Sequence, residues 1–366
     1  MKYTMKRRAF LGCAIGTLAT RPLFAMLDDP WNEAGTVLSG AVTSGQMRAA
    51  VIYVRDGNHF YQRAFGDATT VDASFLLGSI TKPIAVAAVM TLFDQEKFGL
   101  DDFVTKYVPE FKGDGKDRVT IRHLLTHVSG LPDQLPENAD LRRGHAPLAD
   151  FVKGIMRVPL HFKPGAQYEY SSMAILLATE IAQRLSGVEF KEFVDKVVLQ
   201  PLGMQHTAFG MGRLKPEDTM PCQVEFGAIE SGGGSPDSKG WDWNSPYWRN
   251  LGAPWGGAQA SASDVGRFLE EFLHPTGRIF RPEVAQLMIR NHNQEGLASR
   301  GLGLDVGMND VVTHSSSKTF GHTGSTGTIA WADPERDRVC VVLTTLPAGA
   351  NKDHPRQLAS EKVSRP

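Results

Sequence analysis

Strand-like sequence is confined to the two ends of this 366-residue chain, and helix-like sequence fills the space between them. Near the start, residues 49–54 and 59–64 are two short strand-like runs joined at Asp56-Gly57-Asn58, a tight-turn signal. Near the end, residues 301–307, 327–333 and 338–345 read as strands, with a turn at Asp333-Pro334-Glu335-Arg336-Asp337. Between them, residues 80–96 read as a helix with an apolar face of Ile84, Ala87, Ala88, Val89, Leu92 and Phe93. Pro83 is tolerable in its first turn, and Gly99 lies just beyond its end. Residues 120–200 are helix-rich, with apolar or amphipathic stretches at 175–185 and 190–199; 263–273 and 282–290 add two helices. The pattern predicts an α/β layer closed by the two chain ends, with a helical insertion.

The first 25 residues stand apart. They carry five of the 39 basic residues (Lys2, Lys6, Arg7, Arg8, Arg21) and none of the 40 acidic ones, so the remainder is net acidic. That balance argues against a nucleic-acid partner. Arg7-Arg8-Ala9-Phe10-Leu11, followed by a short, weakly apolar stretch, resembles a twin-arginine export signal, which implies an exported, periplasmic protein. Elsewhere no apolar run reaches the roughly 18 residues of a membrane span, so the mature chain is expected to insert in no membrane. Charged residues at 22% and hydrophobic ones at 42% fit an ordinary globular domain. Three cysteines exclude a disulfide framework. Cys340 reads as a buried strand residue, and a Cys222–Cys340 bridge is left open.

Three segments carry chemistry. Gly78-Ser79-Ile80-Thr81-Lys82 opens the best helix and sets a serine three residues before a lysine. Positions i and i+3 share a helix face, so the ammonium can reach the hydroxyl. A serine hydroxyl needs such a base, or a field that favours its alkoxide, before it becomes a nucleophile. Tyr168-Glu169-Tyr170-Ser171-Ser172 leads into another helix, and Phe320-Gly321-His322-Thr323-Gly324-Ser325-Thr326-Gly327 precedes a strand. Each alone reads as a turn. Residues 210–257 have little periodicity but hold a Gly/Ser run and Trp241, Trp243, Trp248 and Trp255, a loop loaded to pack over something.

In the order Ser-x-x-Lys, Tyr-Ser-x, His-Thr-Gly, these segments make the chain resemble the serine β-lactamase and penicillin-binding group. The resemblance spans about residues 30–347 and is closest to the branch of class C β-lactamases, D-Ala-D-Ala carboxypeptidases and β-lactamase-like esterases. It extends to Val119–Leu131 (VTIRHLLTHVSGL), Pro201-Leu202-Gly203-Met204 and Gly301-Leu302-Gly303-Leu304. It implies an antiparallel sheet from both chain ends flanked by helices, plus a mainly helical insertion. Residues 26–78 and 258–350 would form the sheet domain and 79–257 the helical region, with a Trp-rich loop at 231–257 and a polar tail at 351–366. It further implies that Ser79 is the acylated nucleophile and Lys82 the group that eases its ionisation. Tyr170 would exchange protons with Ser79 and the leaving group, and the backbone N–H groups of Ser79 and Ser325 would form an oxyanion hole. Ser172, Thr323 and Gly324 would contact substrate, with Gly324 and Gly327 keeping the strand bare for its approach. No metal or cofactor is implied; the partner is a small molecule or short peptide, and no oligomeric state follows.

Two positions depart from the β-lactam-cleaving pattern. Ser172 stands where such enzymes typically carry asparagine, which weakens amide and β-lactam recognition more than acyl transfer. Ser172 is still expected to reach Lys82. His322, which the resemblance counts as catalytic with Ser79, Lys82 and Tyr170, stands where many have lysine, so its positive field is expected to depend on pH. His123 and His127 have an i, i+4 spacing open to zinc, but lack the glutamate and third ligand of a zinc site, so a structural role is expected. The sequence therefore predicts a serine hydrolase of esters or amides; the rival is a non-catalytic relative that binds peptidoglycan-like peptides or β-lactams.

Overall fold

The computed structural model describes residues 29–366. The export-signal reading of residues 1–25, with Cys13, lies outside the described residues. The strands in chain order are β1 (Ala49–Asp56), β2 (His59–Gly66), β3 (Ser74–Leu76), β4 (Ala208–Phe209), β5 (Thr219–Met220), β6 (Ala258–Ala260), β7 (Asp305–Val306), β8 (Phe320–Gly324), β9 (Thr328–Asp333) and β10 (Arg338–Thr344). The helices are α1 (Asn32–Thr43), α2 (Thr81–Asp94), α3 (Ile121–Leu125), α4 (Asn138–Arg143), α5 (Leu148–Arg157), α6 (Ser172–Ser186), α7 (Phe190–Val194), α8 (Pro246–Leu251), α9 (Ala262–Leu273), α10 (Pro282–Met288) and α11 (Pro355–Ser364). Among the described residues, no helix is long and apolar enough to cross a membrane.

The main sheet runs β2-β1-β10-β9-β8-β7 and is antiparallel throughout. The seam between the two chain ends is the β1–β10 ladder, from Ala50 opposite Thr344 to Asp56 opposite Arg338. Both faces of β1 are covered, which is why its sequence is nearly all apolar. Ala50, Ile52 and Val54 pack with α1 and α11 through Leu38, Ala359 and Val363, while Ala49, Val51 and Tyr53 join the larger core on the other face. Gly266 lets α9 lie flat there, since a Cβ would fall 2.4 Å from the Tyr53 ring.

Besides a second sheet, β4-β6-β3-β5, drawn partly from the expected helical region, and the strand β8 formed by Phe320–Gly324, the observed elements differ from the expected ones in three places. The polar tail at 351–366 contains a helix, α11, docked on the sheet with Ala359, Ser360, Val363 and Ser364 buried. Its small polar side chains are satisfied inside: Trp331 Nε1 donates to Ser360 Oγ at 2.8 Å. Composition reads such a segment as solvated, because it does not reveal which face is covered. Secondly, of residues 301–307 only Asp305–Val306 is strand. Gly303, at φ +76°, sits in a turn and donates its N–H to the Leu125 carbonyl, and its α-carbon lies so close to Val86 that a Cβ would fall 2.7 Å away. Thirdly, α2 is buried all round from Thr81 to Leu92 rather than on one face. It is the central helix of the larger core and packs against α6. Cys222 and Cys340 are both buried free thiols.

Candidate active site

Ser79 sits in a single 3-10 turn, Gly78–Ile80, that feeds directly into α2. Gly78 has φ +57° and lies against the β8–β9 turn: a Cβ there would meet Thr326 Oγ1 at 2.8 Å and Ser325 N at 3.2 Å. Two threonines pin the contact, Thr326 Oγ1 donating to Leu76 O and Thr328 Oγ1 to Leu77 O, each at 2.7 Å. The backbones of Ser79 and Ser325 are thereby brought together, as an oxyanion hole requires. Close packing requires glycine at both 324 and 327. A Cβ on Gly324 would strike Leu77 O, and one on Gly327 would strike Leu346 O.

Lys82 is 1% exposed. Its Nζ donates to Ser79 Oγ at 3.0 Å and to the Trp255 carbonyl at 2.8 Å. Burial pushes its pKa down to about 7, with Asp133 opposing the shift and Arg300 adding to it. Nζ also lies 4.6 Å from the centre of the Tyr170 ring, over its face. Ser172 does not reach Lys82 by a hydrogen bond; its backbone N–H donates to Asp133 Oδ1 at 2.8 Å.

Tyr170 is fixed by the start of α6. Ser171 caps that helix, its Oγ accepting from Ala174 N at 3.0 Å and donating to Pro132 O at 2.8 Å. Its N–H donates to Nδ1 of His127 at 3.1 Å, and the His127 ring lies 4.6 Å from that of Tyr170. The Tyr170 ring keeps some exposure, but its hydroxyl is buried. Burial raises its pKa above the ordinary phenol value, and Arg300 and the Ser79 hydroxyl act in the opposite direction. Among the described residues no hydrogen-bond partner is found for the Tyr170 hydroxyl. The histidine pair at 123 and 127 is spent on structure: His123 closes a capping box with Thr120 at the start of α3, and His127 buttresses Tyr170.

His322 corrects an expectation. It is 4% exposed, and its two ring nitrogens have opposite roles. Nδ1 faces the Thr323 carbonyl at 2.6 Å, an acceptor, so it carries the proton; Nε2 accepts from Arg300 Nη2 at 2.8 Å. Burial first, then Arg300 and Lys82, hold its pKa well below the ordinary imidazole range. The permanent positive charge comes instead from Arg300, which is 2% exposed, ion-paired to Asp305, and 5.6 Å from the Tyr170 ring centre. Sequence pattern did not place Arg300, Asp133, Arg142 or His127 at the site. Arg300 directly precedes the Gly301-Leu302-Gly303-Leu304 segment, but nothing in its spacing points toward His322.

A cavity of about 150 Å³ opens onto this group. Of the expected residues, Ser79, Lys82, Tyr170, Ser172 and Ser325 line it; His322, Thr323 and Gly324 do not. Its outer wall is the Trp-rich loop: Trp243, Trp248 and Trp255 are buried and face it together with Arg142. A larger surface hollow near Arg118 and Phe162 holds no nucleophile with a base beside it.

The chain is matched by the Beta-lactamase family model over residues 37–362. A protein of Escherichia coli (strain K12) named "Putative D-alanyl-D-alanine carboxypeptidase" is 25% identical over 358 residues, covering 86% of this chain and 82% of that one. Among solved structures, EstCE1, described as a hydrolase with promiscuous acyltransferase activity, superposes with a TM-score of 0.77 at 21% identity, covering 93% of this chain and all of its own. The D-amino acid amidase of Ochrobactrum anthropi SV3 superposes with a TM-score of 0.74 at 21% identity, covering 92% of this chain and 98% of its own. The α/β architecture, the serine-lysine pair at the head of a buried helix and the family match agree, and the chain belongs to the beta-lactamase family.

Proposed function

We propose that this protein is a serine hydrolase that cleaves esters or amides through an acyl-enzyme on Ser79. The observation that carries this is the 3.0 Å contact between a buried lysine Nζ and the hydroxyl of a half-buried serine at the mouth of a cavity. With its pKa near 7, Lys82 is in part a neutral amine at neutral pH. It takes the proton of Ser79 as Oγ bonds to the substrate carbonyl carbon. The carbonyl oxygen becomes an oxyanion held by the N–H groups of Ser79 and Ser325. Tyr170, kept neutral by burial, gives its proton to the leaving oxygen or nitrogen, and the Lys82 ammonium returns a proton to the phenolate. Water then attacks the acyl carbon by the same route and frees Ser79. Groups whose environments push their pKa values apart make natural base and acid. Arg300 stabilises negative charge at Tyr170 during the exchange.

Simple ester and amide cleavage stands ahead of β-lactam turnover, because Ser172 offers fewer hydrogen bonds than a carboxamide. The relatives named for carboxypeptidase, hydrolase and amidase activity support acyl transfer of this kind. The basic, twin-arginine-like N-terminus supports export to the periplasm. The test is intact-mass spectrometry after a fluorophosphonate and, separately, benzylpenicillin, with Ser79→Ala as control. A single adduct in the wild type and none in Ser79→Ala is expected. No adduct in the wild type, or an equal adduct in both, refutes the assignment.

A further inference from the structure

The α4 wall of the cavity holds a charge with no ion-pair partner among the described residues. Arg142, on α4, is 2% exposed, and its Nε and Nη1 are buried without a hydrogen-bond acceptor. Among the described residues no carboxylate lies within ion-pair distance of it. The other buried arginines each have an orphan Nε too, but both are ion-paired, Arg300 with Asp305 and Arg55 with Asp337. Arg142 has the face of Trp248, 4.0 Å from its guanidinium carbon, and the fields of Tyr247 and of exposed Glu230, which also lines the cavity. A buried guanidinium without an anion is costly to fold, and its pKa is pushed down to about 10 by burial.

The neighbouring wall repeats the pattern. Trp248 Nε1 and Trp255 Nε1 are also buried donors with no acceptor. The one orphan carbonyl oxygen among the lining side chains is Gln134 Oε1, and rotating that amide presents a donor instead. Asp133 and Glu230 also line the cavity, but the wall formed by Arg142 and the tryptophans is rich in unmet donors and contains a cation, and it fits a ligand that supplies acceptors and negative charge.

Resting on the acyl-enzyme reading above, we infer that Arg142 binds a carboxylate on the acyl portion of the substrate, so that the preferred substrates are monoesters or monoamides of short dicarboxylic acids. The side is set by Tyr170. Its proton goes to the leaving group, and its ring lies beside the hydrogen-bonded pair of His322, 6.0 Å away, and Arg300. The leaving group departs on that side, and the acyl chain faces α4 and the tryptophans. Arg300 is already occupied by Asp305 and His322, so Arg142 is the open cation. A space of about 150 Å³ accommodates a short chain or one ring.

The test compares kcat/KM for mono-4-nitrophenyl adipate and 4-nitrophenyl hexanoate, equal in chain length and differing in the terminal carboxylate. Wild type should favour the adipate at least tenfold. In Arg142→Met that ratio should fall to twofold or less; should this variant fail to fold, Arg142→Lys, which shortens the reach and loses the planar stack, should lower it at least threefold. A wild-type ratio of one or below, or a ratio unchanged in the variant that folds, overturns the inference. A second pair, 4-acetoxybenzoate against phenyl acetate, moves the carboxylate to the leaving group; a preference there but not for the adipate overturns the acyl-side assignment. If the hexanoate ester acylates Ser79 but the adipate is not favoured, only this inference fails. If no ester acylates Ser79, the acyl-enzyme reading itself fails.

Discussion

Arg300 donates to Nε2 of His322 at 2.8 Å, and the opposite nitrogen of that ring gives its proton to the Thr323 carbonyl. The imidazole therefore cannot gain a proton without losing the Arg300 bond and setting one cation against another. His322 acts here as a fixed hydrogen-bonding bridge between Arg300 and β8, and the Arg300 charge that faces Tyr170 stays constant with pH, whereas that of Lys82 titrates.

The pH profile of kcat/KM on a neutral ester should accordingly report Lys82. Activity is expected to rise with an apparent pKa of about 7 as Lys82 loses its proton. His322→Gln, whose carbonyl can still accept from Arg300, should keep that rising limb. Measuring both proteins from about pH 5 to 10 decides it; a limb that vanishes in His322→Gln would return the titration to the imidazole.

Lys82→Met should separate activity from stability. The serine loses its proton acceptor, so kcat should fall by about 10³-fold or more. The folded wild type holds Lys82 at about 7 against an ordinary 10.5, so between those values the unfolded chain binds more protons and stability rises with pH. A tenfold difference in proton affinity between the folded and unfolded chain is worth roughly 1.4 kcal/mol, less what is lost by leaving the Trp255 carbonyl unpaired. The stability of the variant relative to wild type should therefore be greatest below pH 7 and shrink toward pH 10.5. Denaturant melts at about pH 6.5 and 9.5 check the sign; a relative stability that grows with pH contradicts the buried-amine account.

Gly78→Ala tests the contact between the nucleophile turn and the β8–β9 turn. A left-handed alanine costs about 1–2 kcal/mol, and its methyl would crowd Ser325 N and Thr326 Oγ1. Loss of one oxyanion donor lowers kcat by about 10²- to 10³-fold in other serine hydrolases, and a loss on that scale is expected here with a folded protein. Circular dichroism and single-turnover acylation separate the two effects; unchanged acylation means that the two backbones do not cooperate.

Ser172→Asn should shift the substrate preference. The residue lines the cavity beside Asp133, and a carboxamide there offers donors and an acceptor to a substrate amide. At about 1 kcal/mol for one net hydrogen bond, benzylpenicillin acylation should rise roughly fivefold relative to a nitrophenyl ester. Equal change on both substrates, measured by acylation rate, would remove position 172 from the preference.

The sequence by itself determined the features set by neighbouring residues. The β1–β2 hairpin follows from Asp56-Gly57-Asn58, and the Ser79–Lys82 contact follows from a three-residue spacing on helical backbone. Tyr170 follows from its place just before the α6 cap. These are geometries of a single turn, and residue order fixes them. Tertiary structure decided the charges and the wall. Arg300 meets His322 across 22 residues, Asp133 meets Ser172 across 39, and Lys82 meets the Trp255 carbonyl across 173. Only the packing of α2, α6 and the Trp-rich loop determines which of these groups is desolvated, and desolvation decides whether a lysine is a base, a histidine a neutral bridge and an arginine an open binding group. The same reason hid α11: its sequence is polar, and only the covering of one face by β9, β10 and α1 makes it part of the core. Periodicity encodes the direction of a side chain relative to its own backbone, whereas burial depends on what distant chain arrives beside it.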